Sequence, residues 1–392
     1  MITFANNNLP RMTAAHLNAL FTAIKTTELF GRYITNTHIE NCFSKFSESR
    51  ISTIGNSVEG RPIYSFKFGN GPKKILLWSQ MHGNESTSTK ALFDCFNLFE
   101  TEHDVVRSIL DQCTLLVVPI LNPDGAQKYT RVNANLVDLN RDAQDLSQPE
   151  SQILRAVYNK FAPNYCFNLH GQRTIFSAGE TNKIATLSFL SPAQDEDRSL
   201  TTNRKIAMAI IAEINAVVQE DIPNGVGRYD DGFNLNCVGD TFQNFGVPTL
   251  LYEAGHFAND YERETVRRLM FMAILKGLHV ISEGVNATDY KAYLNIPENG
   301  KCFNDVILRN VKLKSSDTIT TDVAFQFKEV LIDDAIQFIP VVEAISNLDH
   351  KYGHKEISGN GKIVRTLADD ELKIGNEIDF VLLNNERISI YS

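Results

Sequence analysis

The sequence predicts an α/β fold: a mixed, mostly parallel sheet with helices on both faces, followed by a small β-rich C-terminal domain. Over the first part of the chain, short apolar runs alternate with amphipathic segments of helical periodicity, as in parallel strands joined by helices. After residue 285, β-branched runs separated by turns replace this alternation. We therefore predict a larger domain over residues 1–285 and a smaller one over residues 286–392.

The individual elements follow from periodicity and from the positions of glycine and proline. Helical patterns are predicted at 14–25 and 38–46, and broken alternating runs over 51–68 indicate a strand hairpin. Four units of a strand followed by a helix come next. Their predicted strands lie at 75–78, 115–121, 165–169 and 247–252. Their predicted helices lie at 88–100, 150–161, 203–219 and 261–280. The tail is predicted to contain strands at 305–313, 318–331, 335–342, 362–367 and 377–383.

Composition narrows the function classes. Hydrophobic residues make up 43% and charged residues 22% of the chain, as in an ordinary soluble globular protein. A formal charge of −9 gives no broad attraction to nucleic acid or to an anionic membrane, so we expect neither partner.

The N-terminus lacks the pattern of a secretion signal and no apolar run could span a bilayer, which predicts a cytoplasmic location. The six scattered cysteines form no CxxC pair and are predicted to be reduced. The oligomeric state stays open.

Polar residues suited to catalysis follow each predicted strand of the α/β part. In an open α/β sheet the ligand site lies beyond the carboxyl ends of the strands, so these side chains are predicted to converge on one cleft. They are His82, Glu85, Asn122, Asp124, His170 and Glu253.

Three of these residues have the chemistry of a metal site. His82 and Glu85 lie three residues apart in a predicted turn, and His170 ends a different strand. Two imidazoles and one carboxylate would leave a fourth position open, as catalytic zinc requires. Glu253, at the end of an apolar strand, would face this site as a general base.

The order and spacing of several motifs resemble those of the zinc carboxypeptidase family over roughly residues 50–280. The motifs are SVEGRPI at 57–63, HGNE at 82–85, NPDG at 122–125, VDLNRD at 137–142, NLHG at 168–171 and, last, Glu253. The resemblance implies one zinc ion per chain, with His82, Glu85 and His170 as its ligands and Glu253 as the catalytic glutamate.

The resemblance also implies roles in substrate binding. Asn140 and Arg141 match the pair that holds the terminal carboxylate of the substrate, and Arg131 matches the arginine that polarises the scissile carbonyl. Tyr229 lies at about the spacing before Glu253 at which relatives have a tyrosine, but its surroundings are unfamiliar and it is given no role. The lack of a secretion signal also departs from the pattern of family precursors.

The sequence therefore predicts a zinc-dependent metallocarboxypeptidase that acts on peptides with a free terminal carboxylate. One alternative is a zinc-dependent deacylase of N-acyl amino acids, similar to aspartoacylase and succinylglutamate desuccinylase. A second is an amidase of cell-wall peptides. A peptide-binding module without turnover is the alternative from outside catalysis.

Overall fold

The computed structural model describes residues 12–391, which divide into two compact units. The first comprises residues 12–172 and 185–298, and the second comprises residues 173–184 and 299–391. The α-helices are α1 (Ala14–Ile24), α2 (Asn36–Glu40), α3 (Thr87–Phe99), α4 (Asp104–Leu110), α5 (Pro123–Lys128), α6 (Pro149–Phe161), α7 (Thr202–Val218), α8 (Val238–Asn244) and α9 (Glu264–Glu283). Within residues 12–391, none of the helices combines the length and the apolar character needed to cross a membrane.

The strands fall into one large sheet and three small ones. The strands of the first unit are β1 (Ile51–Asn56), β2 (Pro62–Phe68), β3 (Lys73–Trp78), β4 (Cys113–Val118), β5 (Tyr165–Gly171), β7 (Leu187–Leu190), β8 (Val226–Arg228) and β9 (Thr249–Ala254). Those of the second unit are β6 (Ser177–Ala178), β10 (Asn299–Gly300), β11 (Phe303–Val311), β12 (Thr321–Ile332), β13 (Ala335–Ser346), β14 (Tyr352–Ser358), β15 (Val364–Arg365), β16 (Phe380–Leu383) and β17 (Glu386–Ser389).

The sheet of the first unit has eight strands in the order β1-β2-β4-β3-β5-β9-β7-β8. Strands β4, β3, β5 and β9 run parallel to one another and form its centre. Strand β2 is antiparallel to β4, and β7 is antiparallel to β9. The predicted mixed, mostly parallel sheet is confirmed.

Alternating side chains of the central strands pack against helices on both faces. Ile75 and Leu77 of β3 belong to the buried cluster that contains residues of α3, α7 and α9. Leu76 and Trp78 belong to the cluster that contains residues of α6 and α8. Because successive strand side chains point to opposite faces, a continuous apolar run such as this one requires cover on both sides.

Strands β5 and β9 continue past their predicted ends. As a result His170 and Glu253, which were expected just after the strands, lie inside them and face each other in the parallel register. The short strands β7 and β8 and the helix α8 lie in segments for which the sequence predicted only loops.

The second unit is β-rich, as predicted, with a four-stranded sheet in the order β13-β12-β11-β14 and a three-stranded sheet in the order β15-β16-β17. The division of the chain differs from the predicted boundary at residue 285. Residues 286–298 belong to the first unit, where Tyr293 is fully buried and its hydroxyl accepts a hydrogen bond from the amide of Ser191. Residues 173–184 belong to the second unit, in which β6 pairs with β10.

All six cysteines are free, and Cys237 is the only one of them that is not fully buried. A free thiol inside an apolar core behaves as a small hydrophobic side chain. This arrangement is the one that the scattered cysteine pattern predicts.

His354 gives the second unit a dependence on pH. Its ring stacks on Phe303 with centroids 4.7 Å apart, and its Nε2 lies 2.8 Å from the carbonyl oxygen of Thr174. Burial lowers the pKa of His354 to about 4. Histidine in the unfolded chain titrates near pH 6.5, so the unfolded state binds more protons between these two values.

We therefore expect the second unit to lose about 3 kcal/mol of stability through His354 as the pH falls from about 6.5 to about 4. The measurement is the hydrogen-exchange protection of the β14 amides across this range, corrected for intrinsic rates. The variant His354→Gln, which does not titrate, should keep more of its protection at low pH. Identical pH dependence of the two proteins would contradict this assignment.

Candidate active site

Two histidines and a glutamate meet at the carboxyl edge of the central sheet. His82 and Glu85 lie in the turn between β3 and α3, and His170 lies in β5, the parallel neighbour of β3. Nδ1 of His82 is 3.0 Å from Oε1 of Glu85, and Nδ1 of His170 is 3.1 Å from Oε2 of Glu85. The two Nδ1 atoms are 3.2 Å apart. The predicted convergence of these three residues is therefore present.

The turn that carries His82 and Glu85 depends on a close backbone approach. The amide of Glu85 donates to the carbonyl of His82 at 3.0 Å and closes the turn. A Cβ atom at Gly83 would lie 2.0 Å from the carbonyl carbon of Gly125, at the start of α5. Only glycine fits this position, so Gly83 lets the turn pack against α5 and directs both flanking side chains to one point.

The charges of the three residues suit a cation. Burial alone would raise the pKa of Glu85, but the two imidazoles beside it lower this pKa well below its usual range. Burial lowers the pKa of His170. Burial also acts to lower the pKa of His82, but Glu85 and Asp138 outweigh it and raise this pKa. The ligand atoms of the three residues lie within 4.8 Å of one another and form a donor set that fits a divalent metal ion. His82, Glu85 and His170 are called the donor group below.

Asp138 and Arg131 surround this group. Oδ1 of Asp138 is 2.9 Å from Nε2 of His82, so the carboxylate fixes the ring while Nδ1 faces the donor group. Arg131 donates to the other oxygen of Asp138 at 3.1 Å and to Glu85 at 3.3 Å. Its side chain is half exposed, at 48%, and so remains open to a substrate. Asp138 was not predicted as a site residue, although it belongs to the motif at 137–142.

Glu253 lies beside the donor group in β9, in register with His170. Its carboxylate is buried, and its Oε2 has no hydrogen-bond partner among the described residues. Burial and the nearby Glu85 raise the pKa of Glu253 well above its usual range. An unpaired carboxylate oxygen beside the donor group is placed to accept a proton and to return it.

Tyr229 is a part of this site that sequence reasoning did not assign. Its amide donates to the carbonyl of Phe189 at 3.0 Å, which places it directly after β8. Burial raises the pKa of its phenol, as do Glu253 and Glu85, whereas Arg131 lowers it. The charges of these three groups therefore act on the phenol.

Asn140 and Arg141 lie next to each other where the 3₁₀ turn after Asp138 meets the start of α8. The Asn140 side-chain oxygen accepts a hydrogen bond from the amide of Val238 at 3.0 Å. The guanidinium of Arg141 contacts the sulfur of Cys237 at 3.1 Å and is exposed. The guanidinium of Arg141 is therefore an accessible cation, and it lies close in sequence to Asp138, which contacts His82.

Two predicted site residues serve another purpose. Asn122 caps α5 by accepting from the amide of Gly125 at 2.8 Å. The buried carboxylate of Asp124 accepts from Ser57 at 2.7 Å and from Arg61 at 2.6 Å. Neither residue belongs to the donor group. The loop at 57–61 supplies the partners that satisfy the Asp124 carboxylate.

Comparison with known sequences agrees with this geometry. Residues 38–187 match the family model described as zinc carboxypeptidase. The chain is 28% identical over 180 residues to Carboxypeptidase SOL1 of Arabidopsis thaliana, covering 40% of this chain and 37% of that protein. It is 30% identical over 161 residues to Carboxypeptidase E of Caenorhabditis elegans, covering 34% of each. The chain thus spans only about a third of the length of these relatives. The family match contains the donor group but ends before Glu253.

Solved structures share the fold. Carboxypeptidase A from Helicoverpa armigera superposes with a TM-score of 0.52 at 15% identity, over 68% of this chain and 80% of that one. A metallo-carboxypeptidase from Pseudomonas aeruginosa, in complex with (2-guanidinoethylmercapto)succinic acid, gives 0.51 at 18% identity, over 64% and 69%.

The contact between Asp138 and His82 predicts a metal-binding phenotype. In Asp138→Asn the charge that holds the His82 ring is lost, and we expect the affinity for a divalent metal to fall by about 10- to 100-fold. Competition with a chromogenic chelator measures this affinity. Asp145→Asn, an exposed aspartate from the same segment, is the matched control and should bind metal as the wild type does. Equal affinity of all three proteins would show that Asp138 does not support the site.

Proposed function

We propose that this chain, whose residues 38–187 match the zinc carboxypeptidase family model, is a zinc-dependent metallocarboxypeptidase that hydrolyses the C-terminal peptide bond of peptides. One observation carries the proposal: a buried group of two histidines and a carboxylate faces a second buried carboxylate across the β5–β9 strand pair. A structural metal site has no use for a neighbouring carboxylate such as Glu253, whose Oε2 is left without a hydrogen-bond partner, so this carboxylate favours a catalytic site.

His82, Glu85 and His170 would hold one zinc ion. When bound there, zinc would act as a Lewis acid and lower the pKa of a coordinated water towards about 7. The protein contributes the orientation of the ligands. Asp138 fixes the His82 ring, and the amide of Gly171 donates to Oε2 of Glu85 at 2.9 Å.

Glu253 is the proposed general base. Its Oε2 accepts the proton that the attacking water gives up and later returns it to the nitrogen of the leaving amino acid. The raised pKa of the Glu253 carboxyl supports this shuttle.

Two arginines are proposed to recognise the substrate. Arg131 stabilises the negative charge that develops on the scissile carbonyl oxygen. Arg141, with Asn140, pairs with the terminal carboxylate, for which the planar guanidinium is suited. An internal peptide bond offers no carboxylate to this cation, which restricts cleavage to the end of the chain.

Replacing the proposed base tests the chemistry directly. Glu253→Gln keeps the size of the side chain but cannot accept a proton, and we expect kcat to fall by a factor on the order of 1000 with zinc still bound. Steady-state kinetics on a chromogenic peptide, together with metal analysis, give both quantities. Glu283→Gln, at the end of α9, is the control and should keep full activity. A Glu253→Gln enzyme with wild-type kcat would refute the proposed mechanism.

A substrate panel tests the proposed specificity. Zinc-loaded protein is incubated with free-carboxylate peptides, the same peptides as C-terminal amides, cell-wall peptides and N-acyl amino acids, and the products are read by mass spectrometry. We expect loss of single C-terminal residues from the free peptides only. Cleavage confined to N-acyl amino acids would replace the proposal by a deacylase, and cleavage confined to cell-wall peptides would replace it by an amidase. No cleavage by the zinc-loaded protein would leave a binding module.

The same panel tests Arg141. In Arg141→Ala the carboxylate loses its partner, so kcat/KM for free peptides should fall about 10- to 100-fold while that for the amides stays at its low value. Arg107→Ala, an exposed arginine paired with Asp104 on α4, is the control. Unchanged preference for free peptides in Arg141→Ala would exclude the role of Arg141.

A further inference from the structure

The distance between Glu253 and the donor group depends on how the ends of β5 and β9 are held. The parallel ladder pairs His170 with Glu253 and then Gly171 with Ala254, and the amide of Gln172 donates once more to the carbonyl of Ala254 at 2.9 Å. Gly171 and Ala254 form the last register pair of β5 and β9. The ladder therefore ends directly after the two residues whose separation matters for the proposed reaction.

Arg263 bridges the two strand ends at this point. Its Nη1 donates to the carbonyl of Ala254 at 2.6 Å, and its Nη2 donates to the carbonyl of Gln172 at 2.5 Å. One planar guanidinium thus bonds to the residue after Glu253 and to the second residue after His170. Hydrogen bonds from a charged donor are short and about twice as strong as neutral ones.

The guanidinium and the side chain of Glu85 both lie beside Gly171. A Cβ atom at Gly171 would be 3.4 Å from Nη1 of Arg263 and 3.4 Å from Cβ of Glu85. Arg263 itself is 3% exposed, so its charge is held in the interior behind the site.

The backbone of Arg263 has a rigid support. It is the N-cap residue of α9, whose buried face spans the length of the helix. Asp260 holds the start of α9 through hydrogen bonds to the amides of Glu264 and Thr265, both at 2.8 Å. The side chain of Arg263 therefore connects a fixed helix end to both strand ends.

We propose that Arg263 is a positioning residue of the active site, which ties the ends of β5 and β9 together and so fixes the Glu253 carboxylate relative to His170 and Glu85. This inference rests on the proposed function, since it concerns the placement of the proposed base. Arg263 touches no reacting atom. A lysine at this position would keep the charge but could not form the two-pronged contact with both carbonyls.

The test compares Arg263→Ala and Arg263→Lys with the wild type, all loaded with zinc. A displacement of a catalytic group by about 1 Å can cost about 100-fold in rate. We expect Arg263→Ala to lose about this factor in kcat with KM and zinc content unchanged, and Arg263→Lys to lose about tenfold. Free guanidinium ion at non-denaturing concentration should restore part of the kcat of Arg263→Ala, whereas ethylammonium should not.

A second readout does not depend on activity. Hydrogen exchange of peptides covering β5 and β9 should be faster in Arg263→Ala than in the wild type at the residues next to the strand ends. Arg268→Ala is the matched control. This arginine of α9 contacts Asn18 and Asp221, so its loss should change neither kcat nor exchange in β5 and β9.

The outcomes separate this inference from the proposed function. An inactive wild type, or an active Glu253→Gln, would refute the proposed function. An active wild type with unchanged kcat in Arg263→Ala would overturn the role of Arg263, as would a loss of kcat that excess zinc restores or that guanidinium leaves unaltered. If Arg263→Ala does not fold, Arg263→Lys decides: wild-type kcat in that variant overturns the role.

Discussion

Three donor atoms that together need one positive charge lie at a single buried point of the sheet edge. The two Nδ1 atoms of His82 and His170 are 3.2 Å apart, and the Glu85 carboxylate contacts both. Burying a carboxylate without a counter-charge is costly, and two neighbouring imidazoles cannot both be protonated without repulsion. A bound cation satisfies all three groups at once, so much of the surrounding structure can be understood as support for this point.

That support comes from several parts of the chain. The parallel register of β3 and β5 brings the turn with His82 next to His170, and Gly83 allows that turn to pack closely on α5. Asp138 holds the back of the His82 ring. The register of β5 and β9 then sets Glu253 on the other side of His170. Catalytic groups held by strands are positioned more accurately than groups held by loops alone.

Much of the fold and of the donor group could be predicted because both depend on local patterns. Each of the four central strands is a short apolar run followed by a helix, and the rule for the carboxyl ends of parallel strands brought His82, Glu85 and His170 together. The same rule also predicted Asp124 as a residue of the site, where it does not join the donor group. A carboxylate after a strand can equally be satisfied by a neighbouring loop, here by Ser57 and Arg61. Nothing in the local sequence distinguishes the two cases.

Other features depend on contacts between distant segments. Strand β7 is four residues long and owes its place in the sheet to antiparallel pairing with β9, far along the chain. Tyr229 and Arg263 enter the site from segments without a motif. Residues 286–298 read as the start of the β-rich tail, but the burial of Tyr293 draws them into the first unit. The hydrophobic periodicity of a segment does not indicate which distant segments it contacts.

The central claim is that the donor group binds zinc through two imidazoles and a carboxylate, and X-ray absorption at the zinc edge of protein loaded with one equivalent of zinc tests it most directly. The account predicts a shell of nitrogen and oxygen neighbours at about 2.0–2.1 Å, the scattering pattern of two imidazoles, and no sulfur. The signal should change in His170→Ala. A sulfur shell at about 2.3 Å, or a spectrum that His170→Ala leaves unaltered, would place the metal elsewhere and contradict the account.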